Sequence, residues 1–344
     1  LKNLVGRAGA RSPHASVSRG VAAALALVTV AAISATGAEA EPLVAKLSLV
    51  TTAGSPKGQA AQRFADTVET LSDGAMKVEV YPDGVLYSTS EEIDGLISSN
   101  IQFIAPSGAL LAGFDSAFQI FDMPFLFGDA AEVSLFFDST CGDQLRDKLS
   151  GTGLKAIAYL PNGFKAFTND ELALETPADF AGLKFRVQSG GVIDAQMKAL
   201  DAAGVVMEFS QVYTALQQGT IDGQENTLNN VLTQRYFEVQ DYLTVSNHGH
   251  LDYLLLTNEA WFDGLSEEQR AIFEKAAQEA SLFARDFAEQ AEKDSLAKLK
   301  EAGMNVTILT ADQRAAFEEA MRPVYDAFGS AVGDDLIACV RSLK

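Results

Sequence analysis

The sequence predicts an α/β protein of two lobes spanned by one long helix, and three observations carry that prediction. After residue 40 the chain alternates strand, helix, strand, helix, strand. The same alternation restarts after "PNGF", Pro161 to Phe164. Finally, a helical pattern opens at Ser266 and meets no breaker until Gly303. At 1.5 Å per residue that last segment makes a rod of about 50 Å, longer than the roughly 30 Å width of a small domain. Such a helix must lie across both lobes.

Each element has its own local signal. "LVAKLSLVTT" alternates as a strand, and Ser55-Pro56 caps a helix whose apolar face holds Ala61, Phe64, Val68 and Leu71. "MKVEVYP", "SEEIDGLISS" and "IQFIAPS" follow as strand, helix and short strand, an order that favours parallel pairing with right-handed crossovers. In the second half "GLKAIAYL" and "GFKAFTN" read as two strands, Thr176-Pro177 as a short helical turn, and "GLKFRVQ", "GVIDAQMKAL" and "GVVMEF" as strand, helix and strand. The long helix begins with the capping box Ser266-Glu267-Glu268-Gln269, and Ile272, Ala276, Ala280, Phe283, Phe287 and Ala291 draw an apolar stripe along it. A coiled-coil arm is the alternative, but no heptad is sustained. "NVTIL" is then a strand, Thr310 to Gln313 a second capping box, and the remainder helical, with a kink expected at Pro323. "FDMPFLF" reads as core packing.

Composition narrows the function classes. In the first forty residues four basic residues precede the apolar run "GVAAALALVTVAAISATGAEA", which ends in Ala38-Glu39-Ala40. That order reads as a secretory signal, residues 1–40, cleaved after Ala40; a membrane anchor is the alternative, weakened by the alanine content. The formal charge is −20, and −23 once those residues are removed. Such a field repels nucleic acid and anionic lipid, so an anionic ligand must be held by a few local cations. Two cysteines remain, Cys141 at a helix start and Cys339 on an apolar helix face; this reading favours two separate thiols, although an oxidising compartment permits a bond. His248 and His250 share a strand face and form only a weak metal signal, so no cofactor is expected.

The stretch "VYTALQQGTIDGQEN" is the most informative. Ser210 is a candidate cap, Val212, Ala215, Leu216 and Gly219 share a helix face, and Gly219 supplies the left-handed stop. "TID" reads as a connecting strand and Asp222-Gly223 as a turn. Gln224-Glu225-Asn226 then enters an apolar environment, where polar groups must find partners. "FSQVYTALQQGTIDGQEN", with "GLKFRVQ" and "FDMPFLF", resembles the extracytoplasmic solute-binding subunits of tripartite ATP-independent periplasmic (TRAP) transporters, in the C4-dicarboxylate-binding branch. The similarity runs from about Lys46 to the C-terminus. It implies a periplasmic-binding-protein-like fold whose cleft closes on an organic acid and delivers it to membrane permease subunits. The expected lobes are residues 41–162 with 252–291, and 163–251 with 292–344.

Five residues are expected to bind the acid. Arg186 in "GLKFRVQ" sits near the carboxyl end of a parallel strand, where open α/β sheets bind ligands, and its planar fork matches a carboxylate. The resemblance makes it the carboxylate clamp. Asn226 can contact the ligand and hold Arg186, and Phe209 matches an aromatic wall. Lys165 stands where relatives often carry arginine, so it either meets a differently shaped acid or faces solvent. Ser107 matches a cleft-lining stretch of the other lobe. The expected protein is a periplasmic monomer with no catalytic residues. A sensor-kinase ligand-binding partner and an enzyme acting on a carboxylic acid are the alternatives; no serine elbow, phosphate loop or metalloprotease helix favours the latter.

Overall fold

A computed structural model describes residues 41–343, and the proposed signal segment 1–40 lies outside them. The chain opens with β1 (Leu43–Ser48), α1 (Pro56–Leu71), β2 (Met76–Tyr81), α2 (Glu92–Ile97) and β3 (Phe103–Ile104). As the alternation predicts, β1 pairs in parallel with both β2 and β3. Ser55 caps α1, its side chain accepting from the Gly58 amide at 3.1 Å. Two 3-10 turns, Gly108–Leu111 and Ser116–Asp122, lead to α3 (Ala130–Phe137), α4 (Thr140–Asp147) and β4 (Leu154–Asn169).

β4 departs from expectation. "GLKAIAYL" and "GFKAFTN" are one continuous 16-residue strand rather than two. The Pro161-Asn162-Gly163 interruption is absorbed as a register shift against the neighbouring strand, which is where a β-sheet tolerates proline. One strand therefore serves two sheets.

The second half continues with β5 (Lys184–Val187), α5 (Val192–Ala199), β6 (Ala203–Val206), α6 (Val212–Gln217), β7 (Gly223–Thr227), α7 (Leu228–Thr233), β8 (Tyr242–Val245) and β9 (His250–Asn258). The strand order is β2-β1-β3-β9-β4-β7-β5-β6, with β8 on the far half of β4. The first half of β4 and the fully buried β9 belong to one sheet; the second half of β4 carries β7 and β8 in the other. These two sheets are the cores of the two lobes.

α8 (Glu259–Asp263) precedes α9 (Glu267–Glu301), a 35-residue helix with both halves of the Ser266/Gln269 capping box formed. It packs on α1, on β4 and on α7, and so runs across both lobes. Its buried stripe is Phe273, Ala276, Ala277, Ala280, Ser281, Ala284 and Ala288, continuing to Ser295 and Leu299. Ala276 and Ala280 belong to the expected stripe, whereas Phe283 and Phe287 are only half-buried and pack against each other with tilted rings. Small residues let α9 approach its neighbours closely, so alanine wins over phenylalanine on the contact face. Near the start of the helix, Phe64, Phe103, Trp261 and Phe273 interlock at centroid distances of 5.1 to 6.1 Å.

The chain ends with β10 (Asn305–Ile308), α10 (Ala311–Val332) and α11 (Asp334–Ser342). α10 carries Pro323 within its span and ends at Gly333, whose φ of +119° no L side chain adopts readily. Cys141 on α4 and Cys339 on α11 form a disulfide, which corrects the expectation of separate thiols. Each cysteine was placed on its own helix correctly; their meeting depends on how two distant helices pack, 198 residues apart in sequence. No helix among the described residues is long and apolar enough to cross a membrane.

Candidate functional site

The stretch from Phe209 to Thr227 folds differently from its local signals. Ser210 caps nothing; it lies inside a 3-10 turn, Phe209–Gln211, that runs into α6. Gly219 does adopt φ +63° and ends that helix. "TID" forms a bend, and the strand is the polar run itself, β7, with all five residues buried. Gly223 opens it because a Cβ there would lie 2.2 Å from the Thr168 carbonyl oxygen and 2.6 Å from the Phe185 ring. Pairing with β4 and β5 satisfies the backbone, and the side chains find specific partners. Gln224 Nε2 donates to Thr168 Oγ1 at 3.0 Å. Asn226 Oδ1 accepts from the Thr227 amide at 3.0 Å and from Asn230 Nδ2 at 2.7 Å.

β7 and β5 bring the site together. The register Arg186↔Gln224 sets Arg186, Gln224 and Asn226 on one face of the sheet, at the carboxyl end of β5. Arg186 is 3% exposed. Its Nε and Nη2 both donate to the Met207 carbonyl, at 3.1 and 3.0 Å, and its guanidinium carbon stands 5.7 Å from the centre of the Phe209 ring. Among the described residues no carboxylate lies within 4 Å of it. Burial holds its pKa below the ordinary arginine value. A guanidinium held along one edge by a carbonyl keeps the other edge for an incoming anion. The expected Asn226 contact with Arg186 is absent; the Met207 carbonyl orients the guanidinium instead, because Asn226 Oδ1 is engaged by its own helix start.

Ser107, Lys165, Arg186, Phe209 and Asn226 all line one cavity between the two sheets. Ser107 Oγ donates to Gln188 Oε1 at 2.8 Å, a direct bond between a residue beside β3 and one beside β5. Lys165 does not face solvent. Its ammonium is buried and ion-paired to Asp122 at 2.6 Å and to Glu225 at 2.9 Å. Burial opposes that charge, but the two carboxylates prevail and raise the Lys165 pKa. Burial works against Glu225 too, yet Lys165 and then His248 hold its pKa below the ordinary value.

His248 stacks on Phe167 at 4.0 Å and shares a hydrogen bond with Ser246; His250 bonds Asp252 at 2.8 Å. Both rings are buried and bonded to protein partners, and no cluster that could hold a metal occurs among the described residues. "FDMPFLF" is core packing apart from Asp122, which the apolar context disguised.

Sequence reasoning missed Lys57, Glu92, Gln188, Asn230 and Tyr253, which line the same cavity. One of them had a signal. Lys57 follows Pro56 in the first turn of α1, where the helix dipole disfavours a cation, so its placement there called for a local reason.

The family model for DctP, bacterial extracellular solute-binding protein family 7, matches residues 47–331. The C4-dicarboxylate-binding periplasmic protein DctP of Rhodobacter capsulatus is 38% identical over 305 residues, 88% of this chain and 91% of the relative. A TRAP periplasmic solute-binding protein from Shewanella oneidensis, solved with bound succinate, superposes with a TM-score of 0.85 at 34% identity, covering 88% of this chain and 99% of that one. A sugar acid binding protein from Advenella mimigardefordensis, solved with galactonate, also gives 0.85, at 32% identity over 88% and 98% of the two chains.

Proposed function

Since this chain belongs to the DctP family of extracellular solute-binding proteins, the solute-binding components of TRAP transporters, we propose that it captures an organic acid outside the cytoplasm and hands it to a membrane permease. The observation that carries this reading is the Arg186 guanidinium, buried without a carboxylate partner and bordering the cavity. An uncompensated buried charge is costly, and a ligand carboxylate supplies the missing counter-charge. A planar acid group can meet the free edge of the fork with two charge-assisted hydrogen bonds. Phe209 walls the guanidinium, and the Asn226 amide nitrogen adds a donor to the same acid. Lys165 acts through Glu225 and Asp122 as a positioning group, and Ser107 closes the cavity by bonding Gln188.

The mechanism follows from the two sheets. Residues 41–162 with 252–291 form one lobe and 163–251 with 292–344 the other, and the crossing strands β4 and β9 act as the hinge. Contacts from both lobes converge on the acid only when the cleft shuts, so the ligand stabilises the closed form by its differential affinity. The permease recognises that form. No bond is made or broken, the protein works as a monomer in the periplasm, and residues 1–40 direct its export.

A thermal-shift screen of residues 41–344 against organic acids tests the reading. An acid at 100 times its dissociation constant adds about 2.7 kcal/mol to stability. Arg186→Ala is expected to abolish the shift while the unliganded melting temperature stays within a few degrees. A shift that survives Arg186→Ala removes this residue from the site.

A further inference from the structure

A second cavity shares no lining residue with the one that Arg186 borders. It is walled by α3, by the interrupted stretch of β4, by His250 at the start of β9 and by one side of α9. Part of its lining is apolar: Ala131 and Val133 from α3, Pro161 and Phe164 from β4, and Ala288 from α9. The rest of α9 brings charge, with Asp286, Glu289 and Glu292 against Arg285 and Lys293. Both cations are already answered. Arg285 donates from Nη1 and Nη2 to the two Asp138 oxygens at 2.7 Å, and Lys293 pairs with Glu289 at 2.7 Å.

Glu292 is the group left over. Its Oε2 is shut off from solvent and has no hydrogen-bond partner, although the residue as a whole is half-buried. The carboxyl lies so close to β4 that a Cβ at Gly163 would stand 2.8 Å from Oε2, and the glycine, at φ +142°, makes room for it. Burial pushes the Glu292 carboxyl up to about 8, and no neighbouring charge opposes that shift. A buried carboxyl without a partner is costly, and a cation arriving from outside relieves the cost. The lining decides which kind of cation. No group of acids and imidazoles among the described residues converges as a set of metal ligands, so a compact inorganic ion lacks its cage. The apolar side calls for hydrocarbon, and the partly exposed Phe164 ring attracts positive charge as well.

We propose that this cavity binds a small organic cation, an ammonium or amidinium on an apolar body, with its charged head on the Glu292 carboxylate and its body against Phe164 and Ala131. The site is independent of acid capture at Arg186, and no covalent bond is made or broken.

Calorimetric titration of residues 41–344 with benzamidinium and with benzamide, its neutral counterpart, at about pH 8.5 and low salt tests the proposal. Benzamidinium is expected to bind at least about tenfold more tightly than benzamide. Glu292→Gln is expected to cost benzamidinium about tenfold or more, while Arg186→Ala leaves it within about twofold. Glu301→Gln removes the same charge from an exposed position near the end of α9 and is likewise expected to stay within about twofold. Ala131 is exposed on α3, so Ala131→Phe fills the cavity without entering the core; it is expected to abolish binding with the melting temperature unchanged. Should Glu292→Gln fail to fold, Ala131→Phe decides alone. Equal binding of the two probes, or equal losses in Glu292→Gln and Glu301→Gln, would assign the attraction to the diffuse negative charge of the chain and overturn the site. Binding that survives Ala131→Phe, or that is lost in Arg186→Ala and kept in Glu292→Gln, overturns it too, as does failure of benzamidinium to bind at all.

Discussion

At the scale of single residues, the cavity separates cations that are satisfied from cations that are not. Lys165 is enclosed by Asp122 and Glu225, and His248 stands 3.8 Å behind Glu225. Replacing Lys165 by methionine leaves two carboxylates buried without their cation, which typically costs about 3–5 kcal/mol. The pH dependence has a definite sign. Burial, with Lys165 opposing, raises the Asp122 pKa, so Asp122 accepts a proton readily as pH falls; once Lys165 is gone, that protonation relieves the unpaired charge. The Glu225 pKa is depressed by Lys165 and His248 against burial, so its contribution is present above its ordinary value of 4.5 and is lost as pH falls through the lower folded value. The gap between Lys165→Met and the parent chain in urea unfolding is therefore expected to be largest at about pH 7 and to narrow towards pH 4. A gap that does not change with pH would assign the loss to packing alone.

Among the elements, β7 shows why four polar residues stand in a buried strand. Its backbone joins β4 to β5, and its side chains bond Thr168, Lys165 and Asn230. Gly223 is required because the Thr168 carbonyl and the Phe185 ring occupy the volume of a side chain. Gly223→Ala is accordingly expected to destabilise the fold by about 1–3 kcal/mol, the usual range for overpacking, and to weaken acid binding by moving β7 away from Arg186. Paired urea melts and thermal-shift titrations measure both effects. A neutral outcome would mean that β4 and β5 part at no cost. The helices work by a different rule: α9 presents alanines to its neighbours along most of its length, and packs on both α1 and α7.

For the whole molecule, two strands and one long helix join the lobes, and the Cys141–Cys339 bond ties α4 to the C-terminal helix. α10 packs both on α5 and on the 3-10 turn that ends at Asp122, so the C-terminal region touches elements of either lobe. Ser107, beside β3, donates to Gln188, beside β5, and so links the two sheets directly. Small-angle scattering of residues 41–344 is expected to give a smaller radius of gyration with saturating acid than without it, and no such decrease in Arg186→Ala. An unchanged radius in the parent chain would argue for a cleft that fills without moving.

The sequence by itself determined the elements, because their signals are local: the Ser55, Ser266 and Thr310 caps, the alternation of β1 and β2, and the stop at Gly219 all act within one turn or a few residues. It also pointed to Arg186 as a candidate through the specific signature around it, and the structure buries that side chain beside the cavity. Only the tertiary structure decided what depends on distant partners. β4 runs unbroken through Pro161 to Gly163 because β9 accepts the register shift; Cys141 meets Cys339 because two helices pack together; Lys165 is consumed by Asp122, hidden among phenylalanines. Lys57 and Glu92 face the same cavity as Arg186 only once the two sheets are set against each other. A charge reveals its purpose through the groups that surround it, and those are fixed when the chain folds.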